Sequence, residues 1–168
     1  MALIATIGQS DSNCYVTQAE ANAYFVDRMH SSDWEDFEDP DPVLITSSQM
    51  LDWYMNWKGT KTSADQFMGW PREDAIRKDG TEIEDDVIPN EVKIAVYELA
   101  ISSLEADRLG DNPLAGIEQL KVGSLAIKAS IGGVDSTVKN AVPEKVRKIL
   151  SDLYTLGGGM SVVRLMRA

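Results

Sequence analysis

The stretch from Pro89 to about Arg108 constrains the fold more than any other part of the chain. Val92, Ala95, Val96, Leu99, Ala100, Ser103 and Leu104 recur at the three- and four-residue steps of an α-helix. Proline suits a first helical turn, where its missing N–H costs no hydrogen bond, and Gly110 suits the position just past the end. A long helix with one apolar stripe needs neighbours to cover it, because most of its stability comes from packing.

The neighbours are legible. Thr17 and Glu20 form a capping box, in which the hydroxyl accepts from the Glu20 amide and the carboxylate reaches back. This predicts a first helix from Gln18 to Met29, with Ala21, Tyr24, Phe25 and Arg28 near one face. Residues 31–42 read as an acidic loop, with room for one helical turn at Trp34 and Phe37. A second helix is expected from Pro42 to Trp57, capped by Asp41, striped by Leu44, Ser47, Leu51, Tyr54 and Met55, and stopped by Gly59. Residues 60–88 hold few helix signals beyond one turn at Ser63-Ala-Asp-Gln66, and Asp79-Gly80 is a turn signal. The period changes at 117–131, where Leu120, Val122, Leu125, Ile127 and Ala129 bracket Gly123-Ser124 as in a β-hairpin. A last helix is expected over 143–156, with Val146, Ile149, Leu150, Leu153 and Tyr154 inward. Residues 3–7 read as a short strand or an arm. The expected fold is mainly α: a bundle of about four helices with a small β-hairpin and an extended C-terminal arm. Residues 1–156 would form the helical domain, and 157–168 a glycine hinge followed by a docking arm.

Composition narrows the chemistry. With 168 residues the chain can bury about 70% of its unfolded surface without a disulfide or metal. Cys14 is the only cysteine, which excludes an intrachain disulfide and a cysteine-based zinc site. No apolar run approaches the roughly 18 residues of a membrane span, and the first residues lack a basic leader, so an intracellular setting is expected and no membrane partner. The net charge of −11 is uneven: −9 over residues 1–57, −6 over 58–111 and +4 over 112–168. Arg28 is the only base among the first 57 residues. Such an acidic surface repels nucleic acid, whose phosphates need Lys and Arg.

Catalytic signals are missing. His30 is the only histidine, and there is no phosphate-binding glycine loop before a helix. The acids Glu82, Glu84, Asp85 and Asp86 lack the alternating ligands and central glycine of a calcium loop, so they read as a solvated loop. The chain is therefore expected to have no catalytic residue, no metal and no cofactor. Trp53 and Trp57 lie four apart on the second predicted helix, with Trp34 before it and Trp70 after it. Tryptophans stack on single-stranded bases only beside a basic groove. Here Lys58, Lys61 and Arg72 are the nearby bases against many acids, so a core or subunit-interface role is preferred.

The stretch Gln49 to Arg72 contains Trp57-Lys-Gly59 and then Gln66-x-x-x-Trp70-Pro71-Arg72. It resembles a pattern in a family of small tailed-phage head–tail adaptors (connectors). Tyr15-Val-Thr-x-x-Glu-Ala-x-x-Tyr24 precedes it, and Ile88-Pro-x-x-Val-Lys-x-Ala-x-x-Glu-Leu-Ala100 and Lys121-Val-Gly-x-Leu-x-Ile127 follow in the family's order. Members of this family often carry the label DnaT-like single-stranded-DNA-binding protein. The resemblance implies a subunit of a ring, with twelve copies expected, beneath the portal protein of the virion neck. The ring would be made in the host cytoplasm, would contact the portal and a tail or second neck protein, and would let genomic DNA pass without sequence-specific binding. Trp57, Gly59, Trp70, Pro71 and Arg72 would be architectural: Gly59 turning the chain, Trp70-Pro71 packing the returning loop on the second and third helices. The alternative is a single-stranded-DNA-binding module.

The last residues are the candidate docking element. Gly157-Gly158-Gly159 frees the chain to change direction, and beyond it Val162, Val163, Leu165 and Met166 are apolar while Arg164 and Arg167 are cationic. This segment reads either as an arm that docks on the portal or a neighbouring subunit, or as a frayed terminus.

Overall fold

The computed structural model describes residues 2–110, 119–122, 125–128 and 141–155. Five helices are present among them: α1 (Gln18–Val26), α2 (Ser32–Glu35), α3 (Asp41–Tyr54), α4 (Asn90–Glu105) and α5 (Glu144–Ile149). Three short antiparallel ladders accompany them. β1 (Asn56–Trp57) pairs with β6 (Tyr154–Thr155), β2 (Thr60–Lys61) with β3 (Arg72–Glu73), and β4 (Gln119–Val122) with β5 (Leu125–Lys128). The architecture is thus helices combined with small two-stranded sheets rather than a plain four-helix bundle.

α4 is the hub, as its stripe predicts. Val92, Ala95, Val96, Leu99, Ala100 and Ile101 are buried, and α2, α3 and α5 pack against it. From α3 come Leu44, Ile45, Met50 and Leu51, from α5 Val146, and just beyond α5 Leu150 and Leu153. Aromatic rings fill the α1 side: Phe25 stacks on Trp34 at 4.4 Å between centroids and Tyr24 on Tyr97 at 4.7 Å. The capping box forms as expected, with Thr17 Oγ1 accepting from Glu20 N at 3.2 Å and Glu20 Oε2 accepting from Thr17 N at 2.8 Å.

Several boundaries differ from the sequence reading, two of them because a non-local partner takes the backbone. α1 stops at Val26 rather than Met29, and Arg28 then turns back to reach Glu98 on α4. α3 starts at Asp41, with Pro40 rather than Asp41 as the cap. It ends at Tyr54 rather than Trp57, because Asn56 and Trp57 pair with Thr155 and Tyr154. The same pairing shortens the last helix, so Tyr154 lies on a strand and not on a helix face. α4 ends at Glu105 rather than Arg108, and Asp107 Oδ1 then accepts from the amides of Leu109 and Gly110. Residues 3–7 form no strand. Asn13 pins them instead, its Oδ1 accepting from Ile4 N at 2.8 Å and its Nδ2 donating to the Ala2 carbonyl at 2.9 Å. The predicted hairpin pairs Leu120 with Ile127 and Val122 with Leu125. The expected glycine hinge and arm lie outside the described residues.

Candidate functional site

The motif that carries the family resemblance folds into one knot behind the C-terminal end of α3. Gly59 turns the chain between β1 and β2 at φ +71°. A Cβ there would lie 2.2 Å from the Glu73 carbonyl oxygen and 3.0 Å from Ala75 N, so only glycine lets β3 approach. Gln66 is buried and ties its own loop: its Oε1 accepts from Ser63 N at 3.1 Å, and its Nε2 donates to the carbonyls of Met68 and Pro71, both at 3.0 Å. Arg72 spreads its guanidinium over three carbonyls, Nε to Lys58 at 2.7 Å, Nη1 to Gly69 at 3.0 Å and Nη2 to Gly59 at 2.6 Å. Trp70 is 1% exposed and meets Trp57 edge-on at 5.8 Å, in the same core as Leu51 and Leu99. The Trp70–Pro71 peptide is cis.

Asp52 holds the knot to α3. Its Oδ1 accepts from Tyr15 Oη and, at 2.8 Å, from Trp57 Nε1, and its Oδ2 accepts from Gly69 N at 2.7 Å. Burial pushes the Asp52 carboxyl above its ordinary value, although the bonds from Tyr15, Gly69 and Trp57 and the charge of Lys61 work in the opposite direction. Burial and the Asp52 charge together push the Tyr15 hydroxyl well up. A Cβ on Gly69 would come within 2.4 Å of Asp52 Oδ1, so this glycine too is required by a close approach. Neither Asp52 nor Tyr15 is legible in the sequence as part of this knot. The available signal was an acid in the last turn of a helix, where the macrodipole opposes it unless donors are supplied.

Beside the knot opens a cleft of about 370 Å³, lined by Asp52, Met55, Asn56, Trp57, Lys61, Phe67, Gly69 and Arg72. Phe67 is 59% exposed. The four tryptophans divide: Trp34 and Trp70 are core, Trp57 is half-buried, and Trp53 on α3 is exposed. Trp53 and Trp57 therefore do not share a helix face, because Trp57 has left the helix. His30 is exposed, with φ +60°, and its carbonyl accepts from Arg28 Nη1 at 2.7 Å. Among the described residues no group of three or more His, Cys, Asp or Glu converges as a metal site would require. The docking candidates Val162, Val163, Arg164, Leu165, Met166 and Arg167 lie outside the described residues.

The bases of residues 2–110 are all engaged within the chain. Arg28 faces Glu98, Arg77 faces Glu91, Lys78 lies 3.0 Å from Asp152 and Lys93 lies 2.7 Å from Glu20. Lys58 donates to the Ile76 carbonyl, Lys61 to those of Gln66 and Phe67, Arg72 to the three above, and Arg108 to Ser102.

A left-handed residue costs roughly 1–2 kcal/mol more for alanine than for glycine, before any clash. Gly59→Ala should therefore destabilise the protein by at least about 1–2 kcal/mol, and thermal melting should show a lower midpoint. Gly80 also has positive φ (+88°), but a Cβ there meets nothing within 4 Å. Gly80→Ala should accordingly cost less; equal losses at the two sites would remove the close-approach argument.

No curated protein and no solved structure matches the chain. A family profile matches residues 1–168. With that match running the full length, the chain belongs to the family described as "Putative DnaT-like ssDNA binding protein".

Proposed function

We propose that this protein is a structural subunit of a phage head-to-tail connector. Twelve or a similar number of copies would form a ring beneath the portal, join the capsid to the tail or a second neck protein, and line the channel through which genomic DNA passes. The observation that carries this reading is the engagement of the bases. Residues 1–111 carry a net charge of −15, and every Lys and Arg within the described part of that span is bonded to the chain's own acids, carbonyls or hydroxyls. A nucleic-acid groove needs cations turned outward to displace counterions from phosphates. A wall past which DNA slides benefits from the opposite field. The signature residues Gly59, Gln66, Trp70 and Arg72 serve the chain's own loops, as architecture requires. Ring closure would join unlike surfaces of neighbouring copies.

A second reading, a single-stranded-DNA-binding module, is favoured by the family's description and by one cleft. There Phe67 and Trp57 stand beside Lys61 and Arg72, whose charges meet carbonyls rather than carboxylates. Aromatic faces beside cations are what single strands stack on.

Fluorescence anisotropy with labelled oligonucleotides separates the two. The connector reading expects binding no tighter than about 10⁻⁴ M at physiological salt, the non-specific level. A submicromolar dissociation constant with a steep salt slope would establish the second reading instead. Light-scattering mass of the protein with and without purified portal supplies the positive test, since portal-dependent association is expected.

A further inference from the structure

We propose that an apolar groove between the N-terminal half of α3 and the C-terminal end of α4 receives the C-terminal segment 160–168 of a second copy of this chain. The inference rests on the ring reading above and names the contact that would build the ring. The groove encloses about 440 Å³, and its apolar lining is Phe37, Pro42, Val43, Met50, Leu104 and Leu109. Phe37 and Leu109 are 41% and 47% exposed. Large apolar side chains gathered in one concave patch are what a docking surface presents to water when empty.

The surroundings say what chemistry fits. Phe37 and Pro42 of the lining are flanked in the chain by Asp36, Glu38 and Asp41, and residues 33–41 hold six acids and no base. Asp107 lines the groove at its other end. The cation there, Arg108, is held against α4, with Nη2 donating to Ser102 Oγ at 2.9 Å and Nε to the Ser102 carbonyl at 3.2 Å. An apolar and cationic occupant fits this lining and its acidic flank. Within the chain Met160–Ala168 has that composition: Val162, Val163, Leu165 and Met166 with Arg164 and Arg167, and no acid.

Length permits the reach. Thirteen residues follow Thr155 and span about 40 Å when extended. They start from β6, which pairs with β1 just past the C-terminal end of α3. α3 itself is about 20 Å long, so the segment reaches past it to a groove on its own copy or on a neighbour, and the ring reading selects the neighbour. A groove on one copy and a segment on the next are unlike surfaces, as a closing ring requires.

Disulfide trapping in the full-length chain tests this. Leu109→Cys puts a thiol in the groove and Met166→Cys puts one in the segment, while the native Cys14 is buried. The two single variants are mixed under oxidised glutathione, alone and with purified portal, after circular dichroism has verified their folds. The inference expects a cross-linked heterodimer forming at least tenfold faster than when Trp53→Cys, exposed but outside the groove, replaces Leu109→Cys. Equal rates with and without portal for the two positions would overturn it. So would a double variant, Leu109→Cys with Met166→Cys, that closes within one chain while the mixed single variants stay apart. Portal binding of the same variants is measured separately. Portal binding without the cross-link sinks this inference alone, whereas the cross-link without portal binding keeps it and sinks the connector reading.

Discussion

Trp70→Ala should lower the unfolding free energy by about 3–5 kcal/mol, the range for removing a fully buried aromatic ring. The side chain is 1% exposed and sits edge-on to Trp57, whose own N–H is fixed by Asp52. Removing the ring leaves a void between the knot and the core that Leu51 and Leu99 share with it. The surrounding loop cannot easily collapse into that void, because Gln66 and Arg72 hold its backbone at five carbonyls. Trp70→Phe separates packing from hydrogen bonding. The indole Nε1 is buried with no partner among the described residues, so the N–H itself adds nothing that phenylalanine would forfeit. Urea denaturation should therefore show a clearly smaller loss for Trp70→Phe than for Trp70→Ala. Wild-type stability in Trp70→Ala would mean that the ring is dispensable to the core, contrary to its burial.

The helices were legible because their signals are local. The stripe on α4, the capping box at Thr17 and Glu20, and the Asp79-Gly80 turn each depend on residues within a few positions of one another. At the turn, Gly80 N donates to the Arg77 carbonyl at 3.1 Å as expected. The largest departures lie where the chain's fate is decided at long range. Asn56-Trp57 holds no helix breaker, yet its partner is Tyr154-Thr155, about a hundred residues away, and the pairing ends α3 early while shortening α5. No periodicity within either segment announces the other. The knot is legible as a motif through Trp57, Gly59, Trp70, Pro71 and Arg72, but its anchors are not. Asp52 and Tyr15 are joined by a side-chain contact that spans 37 positions. Arg28 stands out as the lone base of an acidic third of the chain, but nothing local points to its partner, Glu98, which lies 70 positions away on α4 and off its apolar stripe. The charged surface therefore looked simpler in sequence than it is, since the same net charge can hide bases that are free or bases that are all engaged.

Glu98→Ala should destabilise the protein by about 3–5 kcal/mol, because removing one partner of a buried pair leaves the others unsatisfied. Glu98 is 5% exposed and lies on α4. Its Oε1 accepts from Tyr24 Oη at 2.6 Å and from Arg28 Nε at 2.9 Å, and its Oε2 accepts from Arg28 Nη2 at 3.0 Å and from Lys145 Nζ. One carboxylate thus fastens α1, the turn after it and α5 to α4. Burial alone would raise its pKa, but the bonds from Arg28, Lys145 and Tyr24 outweigh burial and hold it at about 2. Burial and the Glu98 carboxylate push the Tyr24 hydroxyl up to about 12, so it stays protonated and donating throughout the accessible range. The sign for stability follows from the lowered value. The unfolded carboxyl titrates near 4.3, so the contribution is fully present above that pH and is lost as pH falls toward 2. A separation of about two pH units corresponds to roughly 3 kcal/mol. Glu98→Gln keeps the shape and removes the titration. Denaturation of wild type and Glu98→Gln between pH 7 and pH 3 should show a stability gap that is constant down to about pH 5 and narrows below it. A gap that stayed constant through pH 3 would mean that Glu98 has an ordinary pKa in the folded chain, and the four-donor node would then contribute packing but no charge linkage.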